Sequence, residues 1–534
     1  MLFLIALTAL NPDSPMKFDG LGPHHRHITT RSREAEDYFN EGLEFMYGFN
    51  KGEAITLFKA AAKADPKCAM AYWGIATANG PDINNPGVGP DQAMEAWEAL
   101  QAAKKLDASP VEKALIQASE ARFANPQPAD RTGLDRAYAD EMRKVWKRFP
   151  RDSDVGALFA ESLMDLRPWH QWNKEGTAAP GTMEAIETCR AVLRFEPNHP
   201  QALHLLIHAT EGSPHPEWGT QAANRLRFLQ PGLGHMVHMP SHNDVRTGEW
   251  QKAVEANERA IQADLAYRKK RNKMSMYRFY MVHNWHMLGY ASMMIGESKK
   301  SLHAIDSMFA PLSDVALKNM GPFVDGYVAM PLEARIRFGK WDEILATPEY
   351  PDYYPISRTL QHYARGIAYA AKGQVTEAKE EQDKFEFGAA GLTGNEAFGN
   401  NTADGVISLA RHMLAGEIAL AENHLDEAVT ELRAGVAAED GLNYDEPPAW
   451  ILPVRHALGA TLMKAGRYAE AEKVYRQDLA KLPHNGWSLY GLGQALMAEG
   501  KAAEANKVQG EFAVSWRHAD MKIGSSCMCV NGKP

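Results

Sequence analysis

Imidazole side chains crowd into three short stretches of this chain: HLLIHATE at 204–211, GHMVHMPSH at 234–242 and HNWH at 283–286. After each stretch comes a small residue, Ala222, Ala253 or Ser301, at the place where a second helix would press closely on the first. Counted back from those anchors, His204, His235 and His283 each lie 18 residues before, and His238 and His286 lie 15 before. His208 lies 14 before, while Glu211 and His242 lie 11 before. These offsets are the i, i+3, i+4 and i+7 positions of a helix and share one face. Seven imidazoles and one carboxylate are therefore expected on equivalent faces of three successive helices.

Such a cluster repels itself if protonated and lacks partners if neutral. A metal ion resolves both problems, because it binds the neutral ring. The expected ligands are His204, His208, Glu211, His235, His238, His242, His283 and His286. Eight donors exceed the four of a tetrahedral structural zinc site, so two ions with three or four ligands each would use them, a single ion with spare outer histidines being the alternative. Imidazole suits copper, zinc or iron; copper is the first expectation, and the lack of nearby thiolates argues against an iron–sulfur cluster. Glu211 is a ligand or a general base, and Tyr290, 11 residues before Ser301, is the best-placed tyrosine for catalysis. Tyr280, Arg246 and Asn284 lie within a turn or so of the histidines as outer partners, and Glu446 and Trp450 sit in a segment that would cap the groove. His24, His25 and His27 form a weaker candidate site or a solvated leader.

The elements that must carry these residues are helices. Ala, Leu, Glu and Lys recur at helical spacing, with Gly or Pro at the breaks. Gly42, Ala54, Phe58, Ala61 and Pro66 set a frame that Gly459, Ala471, Tyr475 and Pro483 reproduce, and Gly493 with Ala505 restarts it 34 residues on. Gly366 with Ala378 and Gly416 with Ala428 keep the same 12-residue step. A 34-residue helix–turn–helix period of this kind is the tetratricopeptide signature. The fold expected is all-α, a TPR-like α-solenoid: a right-handed superhelix of helical hairpins with a concave face. Residues 81–90, 388–405 and the stretch around Pro447 and Pro448 read as inserted loops. The chain divides into a leader (1–30), N-terminal repeats (31–150), central His-rich repeats (151–310), C-terminal repeats (311–520) and a Cys-containing tail (521–534).

The phrases DPKCAMAYWGIA, IHATEGSPHPE, HMPSH and NYDEPPAW resemble a family of bacterial His-rich tetratricopeptide-repeat proteins, across roughly residues 31–506. The resemblance to tetratricopeptide arrays implies that the histidine stripe lines the concave ligand groove. It brings no established reaction with it. On the residues, the leading expectation is a metal-dependent oxidoreductase acting on a small molecule in the groove. A peptide-binding scaffold, with a protein partner on the repeat surface, or a metal carrier is the alternative, and a metal-dependent hydrolase the second alternative. Phosphate loop, H-E-x-x-H and G-x-S-x-G motifs are missing.

A net charge of −9 and a pI near 6.1 argue against a nucleic-acid partner. No apolar run reaches the ~18 residues of a transmembrane helix. Residues 2–10 (LFLIALTAL) look like the core of a secretory signal, but no basic residue precedes them. A signal there implies a periplasmic or secreted protein; a packed helical cap implies a cytoplasmic one. Cys68 and Cys189 read as buried apolar residues, whereas Cys527 and Cys529 bracket Met528 in a tail that is either disordered or a soft-metal donor set for Cu(I) or zinc.

Overall fold

Ser32 and Asn50 show how the chain starts its helices. Each side chain accepts a backbone N–H in the first turn, from Ala35 and Glu53, and opens the helices Arg33–Tyr47 and Lys51–Ala64. Ser109, Asp152 and Asn485 cap later helices in the same way, and the described residues form an all-α fold. The described strands are the pair Ala397–Phe398 and Asn401–Thr402, two residues each. The structure is a computed structural model and describes residues 15–530; the apolar segment 2–10 lies outside the described residues.

The described residues form two compact units, one from those up to 243 together with 258–281, the other from 244–257 together with those from 282 onward. Each is a stack of antiparallel helical hairpins, the TPR-like α-solenoid that the spacing predicts. The repeat frame has a steric cause. Phe58, fully buried, lies between Gly42 and Gly74; a Cβ at either glycine would come within 2.9 or 2.5 Å of its ring. In the second unit Tyr475 lies in the same way between Gly459 and Gly491. One aromatic residue thus wedges its own hairpin and the first helix of the next. Ser301 takes the place of the usual alanine and donates its hydroxyl hydrogen to the Gly289 carbonyl at 2.8 Å.

The central segment departs from a single long helix per stripe. His204, His208 and Glu211 lie on helix Pro200–Glu211 as expected. The stretch 234–242, however, is two short helices, Gly234–His238 and Pro240–Thr247. The cause is Pro240, which has no N–H to continue the ladder and clashes with the carbonyl four residues back. His283 and His286 lie on helix Tyr277–Met294. Among the described residues no helix is long and apolar enough to cross a membrane.

Candidate metal centre

Five of the sequence-derived histidines belong to the first unit, and their rings form one contiguous set. Ring centroids are 4.8 Å apart for His204 and His208, 4.9 Å for His204 and His235, 5.5 Å for His208 and His242, 5.9 Å for His235 and His238, and 4.7 Å for His238 and His242. All five are buried. One ring nitrogen from each of His204, His208 and His235 can be chosen so that all lie within 4.8 Å of one another.

Oxygen acceptors set which nitrogen carries the proton. The Tyr47 carbonyl lies 2.9 Å from His204 Nδ1 and can only accept, so Nδ1 carries the hydrogen and Nε2 the lone pair. Glu211 does the same for two rings at once, with Oε1 on His208 Nδ1 at 2.9 Å and Oε2 on His242 Nδ1. Burial alone would raise the Glu211 carboxyl, but His242 and His208 outweigh it and hold the group at about 2, so it is ionised. Tyr47 and Glu211 thus fix the Nδ1–H groups of His204, His208 and His242 and leave Nε2 as the remaining ring nitrogen of each. This is the carboxylate–histidine arrangement that orients metal-binding rings. The Nε2 atoms of His204 and His235 stand 3.1 Å apart, and those of His238 and His242 2.7 Å apart.

The donor set fits a metal. His208 Nε2 and His235 Nδ1 are buried without a hydrogen-bond partner among the described residues, a costly arrangement for neutral rings alone. Burial, reinforced by the neighbouring imidazoles, pushes His204 and His235 well below the ordinary histidine value, so both stay neutral.

The walls come from residues that carried no signal in the sequence. Phe49 packs on His204, His208 and His235 with centroids 4.5, 6.2 and 5.3 Å away, and the Trp169 ring meets His208 edge-on at 6.0 Å. Both hold left-handed backbone, with φ of 58° and 62°. Bulky residues adopt that conformation at a cost of order 1–3 kcal/mol, and such positions cluster at functional sites. Tyr280, an expected outer partner, does stand 4.7 Å from the His235 ring, and its hydroxyl accepts from Asn85. The Tyr277 hydroxyl accepts the His235 backbone N–H.

His283, His286 and Tyr290 belong to the second unit. There, burial takes His286 down to about 3, and its ring lies 5.7 Å from Tyr327. Tyr290 is buried against Trp250 at 5.8 Å, and burial raises its phenol well above the ordinary range. Arg246 lies over the Tyr444 ring, whose hydroxyl donates to Glu446. Trp450 packs on Tyr363. The N-terminal histidines part company. His24 binds Asp154 and Glu196 at 2.9 and 3.0 Å, beside His199, which also faces Asp154. His25 and His27 stay near the surface, with Glu36 bonded to His27.

Residues 462–508 match the family model described as tetratricopeptide repeat. No curated protein matches the chain in sequence. Among solved structures, the APC/C hetero-tetramer Cut9-Hcn1 is similar at 13% identity and a TM-score of 0.30, over 94% of this chain and 77% of that one. The human IFIT1 dimer with m7Gppp-AAAA is similar at 15% identity and a TM-score of 0.33, over 92% of both.

Proposed function

We propose that this protein, which carries tetratricopeptide-type repeats, is a metalloprotein whose first unit binds a transition metal through one ring nitrogen each of His204, His208 and His235, with His238 and His242 as the adjoining donors. The observation that carries this reading is the buried group of His204, His208 and His235, each offering a ring nitrogen within 4.8 Å of the others, with the Nδ1–H groups of His204 and His208 fixed by Tyr47 and Glu211. Glu211 serves in it as the positioning residue, both oxygens being engaged by Nδ1 atoms. Copper is the preferred ion, with zinc or iron next, since all suit imidazole. When bound with an open position, copper supplies oxygen-dependent oxidation and zinc an activated water. The chain's own part is to hold neutral rings, exclude water with Phe49 and Trp169, and admit a small molecule. A cavity of about 900 Å³, lined by Pro86, Pro126, Arg131, Asp135, Asp165 and Pro168, the last next to Trp169 in sequence, is the proposed approach.

The test is elemental analysis of protein made without a polyhistidine tag, followed by uptake of Cu²⁺ and Zn²⁺ by the stripped protein. At least one tightly held equivalent is expected, and it should vanish in a His204→Ala/His208→Ala double variant. Equal uptake by wild type and double variant would overturn the reading. Oxygen consumption over phenols, amines and thiols then separates an oxidase from a metal carrier. A second reading, a scaffold for protein partners, is favoured by the repeat match at 462–508 and concerns the second unit.

A further inference from the structure

The C-terminal segment is not loose chain. Ser526 donates its hydroxyl hydrogen to the His456 carbonyl at 2.7 Å and stands 2.7 Å from the Tyr475 hydroxyl, while Arg337 Nη1 donates to the Ser526 carbonyl at 3.2 Å. Met528 packs over Gly339, where a Cβ would lie 3.4 Å from its methyl carbon. Ser526, Cys527 and Met528 are 1%, 8% and 7% exposed, and Cys529 is half-buried. The surface beneath them is the same helical face that carries histidines in the first unit. Tyr363, Glu417 and His456 lie 15, 11 and 15 residues before Ala378, Ala428 and Ala471.

Within this docked segment the two thiols meet. Cys527 Sγ lies 2.7 Å from Cys529 Sγ and donates toward Glu417 Oε1 at 3.8 Å. Two thiolates held by one tetrahedral ion through bonds of about 2.3 Å would stand ~3.8 Å apart. The two sulfurs are near enough to bond directly after a small shift, being about 2.05 Å apart in a disulfide. We propose that Cys527 and Cys529 form a dithiol–disulfide site that exchanges with low-molecular-weight disulfides of the glutathione type.

The exchange balances. Cys529, the more exposed of the two residues and also hydrogen-bonded to Glu417, gives its proton to that carboxylate and attacks one sulfur of the disulfide RSSR. A mixed disulfide forms, and RS⁻ leaves and takes up a proton as RSH. Cys527 then attacks the Cys529 sulfur, closing the internal disulfide and releasing the second RSH. Two thiol hydrogens end on two RSH molecules, and two electrons pass to RSSR. The hydrogen bond with Cys527, then burial and the charge of Glu417, raise the Cys529 thiol well above its ordinary value, so exchange depends on the carboxylate accepting the proton. Cys68 and Cys189 are 0% exposed, unlike Cys529, and serve as internal controls.

The experiment incubates the full chain with oxidised glutathione, alkylates it under denaturing conditions and reads the intact mass. The expected product has two alkylated thiols of the four, is otherwise lighter by two hydrogens, and returns to four after reduced glutathione. Cys527→Ser should instead keep glutathione on Cys529, with unchanged circular dichroism. Four alkylated thiols after oxidation, or a persistent glutathione adduct on the wild type, would overturn the proposal. The outcome is independent of metal binding in the first unit.

Discussion

Glu211 is the residue whose replacement most sharply separates a metal centre from a cluster of packed histidines. One carboxylate accepts from two imidazoles, and each of those contacts fixes which ring nitrogen is free. Loss of one such outer partner typically costs 10–100-fold in metal affinity, or about 1.4–2.7 kcal/mol. Glu211→Gln keeps one acceptor oxygen and puts an amide N–H opposite the other ring, driving that ring's proton onto the nitrogen meant for the metal. The expected loss is about 10–100-fold. Glu211→Ala removes both acceptors, and two losses together come to about 10²–10⁴-fold. Affinity is read by competition against a chromophoric chelator at neutral pH, with circular dichroism to show that each variant remains helical. Affinities for both variants within twofold of wild type, or an alanine variant that binds no worse than the glutamine one, would refute the tautomer argument.

Other outcomes follow from the same geometry. His238→Ala should lower metal content and any oxygen consumption while leaving helicity largely unchanged, checked by elemental analysis beside circular dichroism. Phe58→Ala should destabilise the first unit by about 3–5 kcal/mol, as for other large buried aromatics, and urea unfolding measures it. Burial opposes protonation of His24, but Asp154 and Glu196 outweigh it and raise the group from 6.5 to about 10. The folded state therefore favours the protonated ring, and the stabilisation is complete below pH 6.5 and lost as pH rises through about 10. His24→Gln should cost on the order of a few kcal/mol at the acid end of that window and little at its alkaline end, which thermal melts across the range would show.

The repeat frame was readable because close helix crossing demands a particular residue: only a glycine tolerates the Phe58 or Tyr475 ring at 2.9 Å or less from where its Cβ would be. The histidine stripe was readable for a related reason, since side-chain identity and helical spacing are both written in the chain. What could not be read is what comes from backbone or from distant segments. The acceptor for His204 is a peptide carbonyl, which has no sequence signature, and it arrives from 157 residues away. Phe49 and Trp169 reach the site through left-handed turns, and nothing in their type announces that. His24 was grouped with His25 and His27 by proximity in sequence, yet its partners Asp154 and Glu196 lie far along the chain. The sulfur-bearing tail, read as disorder or a soft-metal set, is docked through Ser526, an unremarked serine.

That docking has a consequence for any molecule that would use the second unit. Ser526 of the docked segment occupies the Tyr475 hydroxyl and the His456 carbonyl. A tethered segment competes at an effective concentration on the order of millimolar for a short flexible link. A free peptide seeking the same hydroxyl and carbonyl contacts must displace it, so its apparent affinity for the full chain is weakened by the ratio of that concentration to the segment's own dissociation constant. Shortening the chain ahead of Ser525 removes the competitor, and equilibrium binding to the two forms would measure how firmly the end is held.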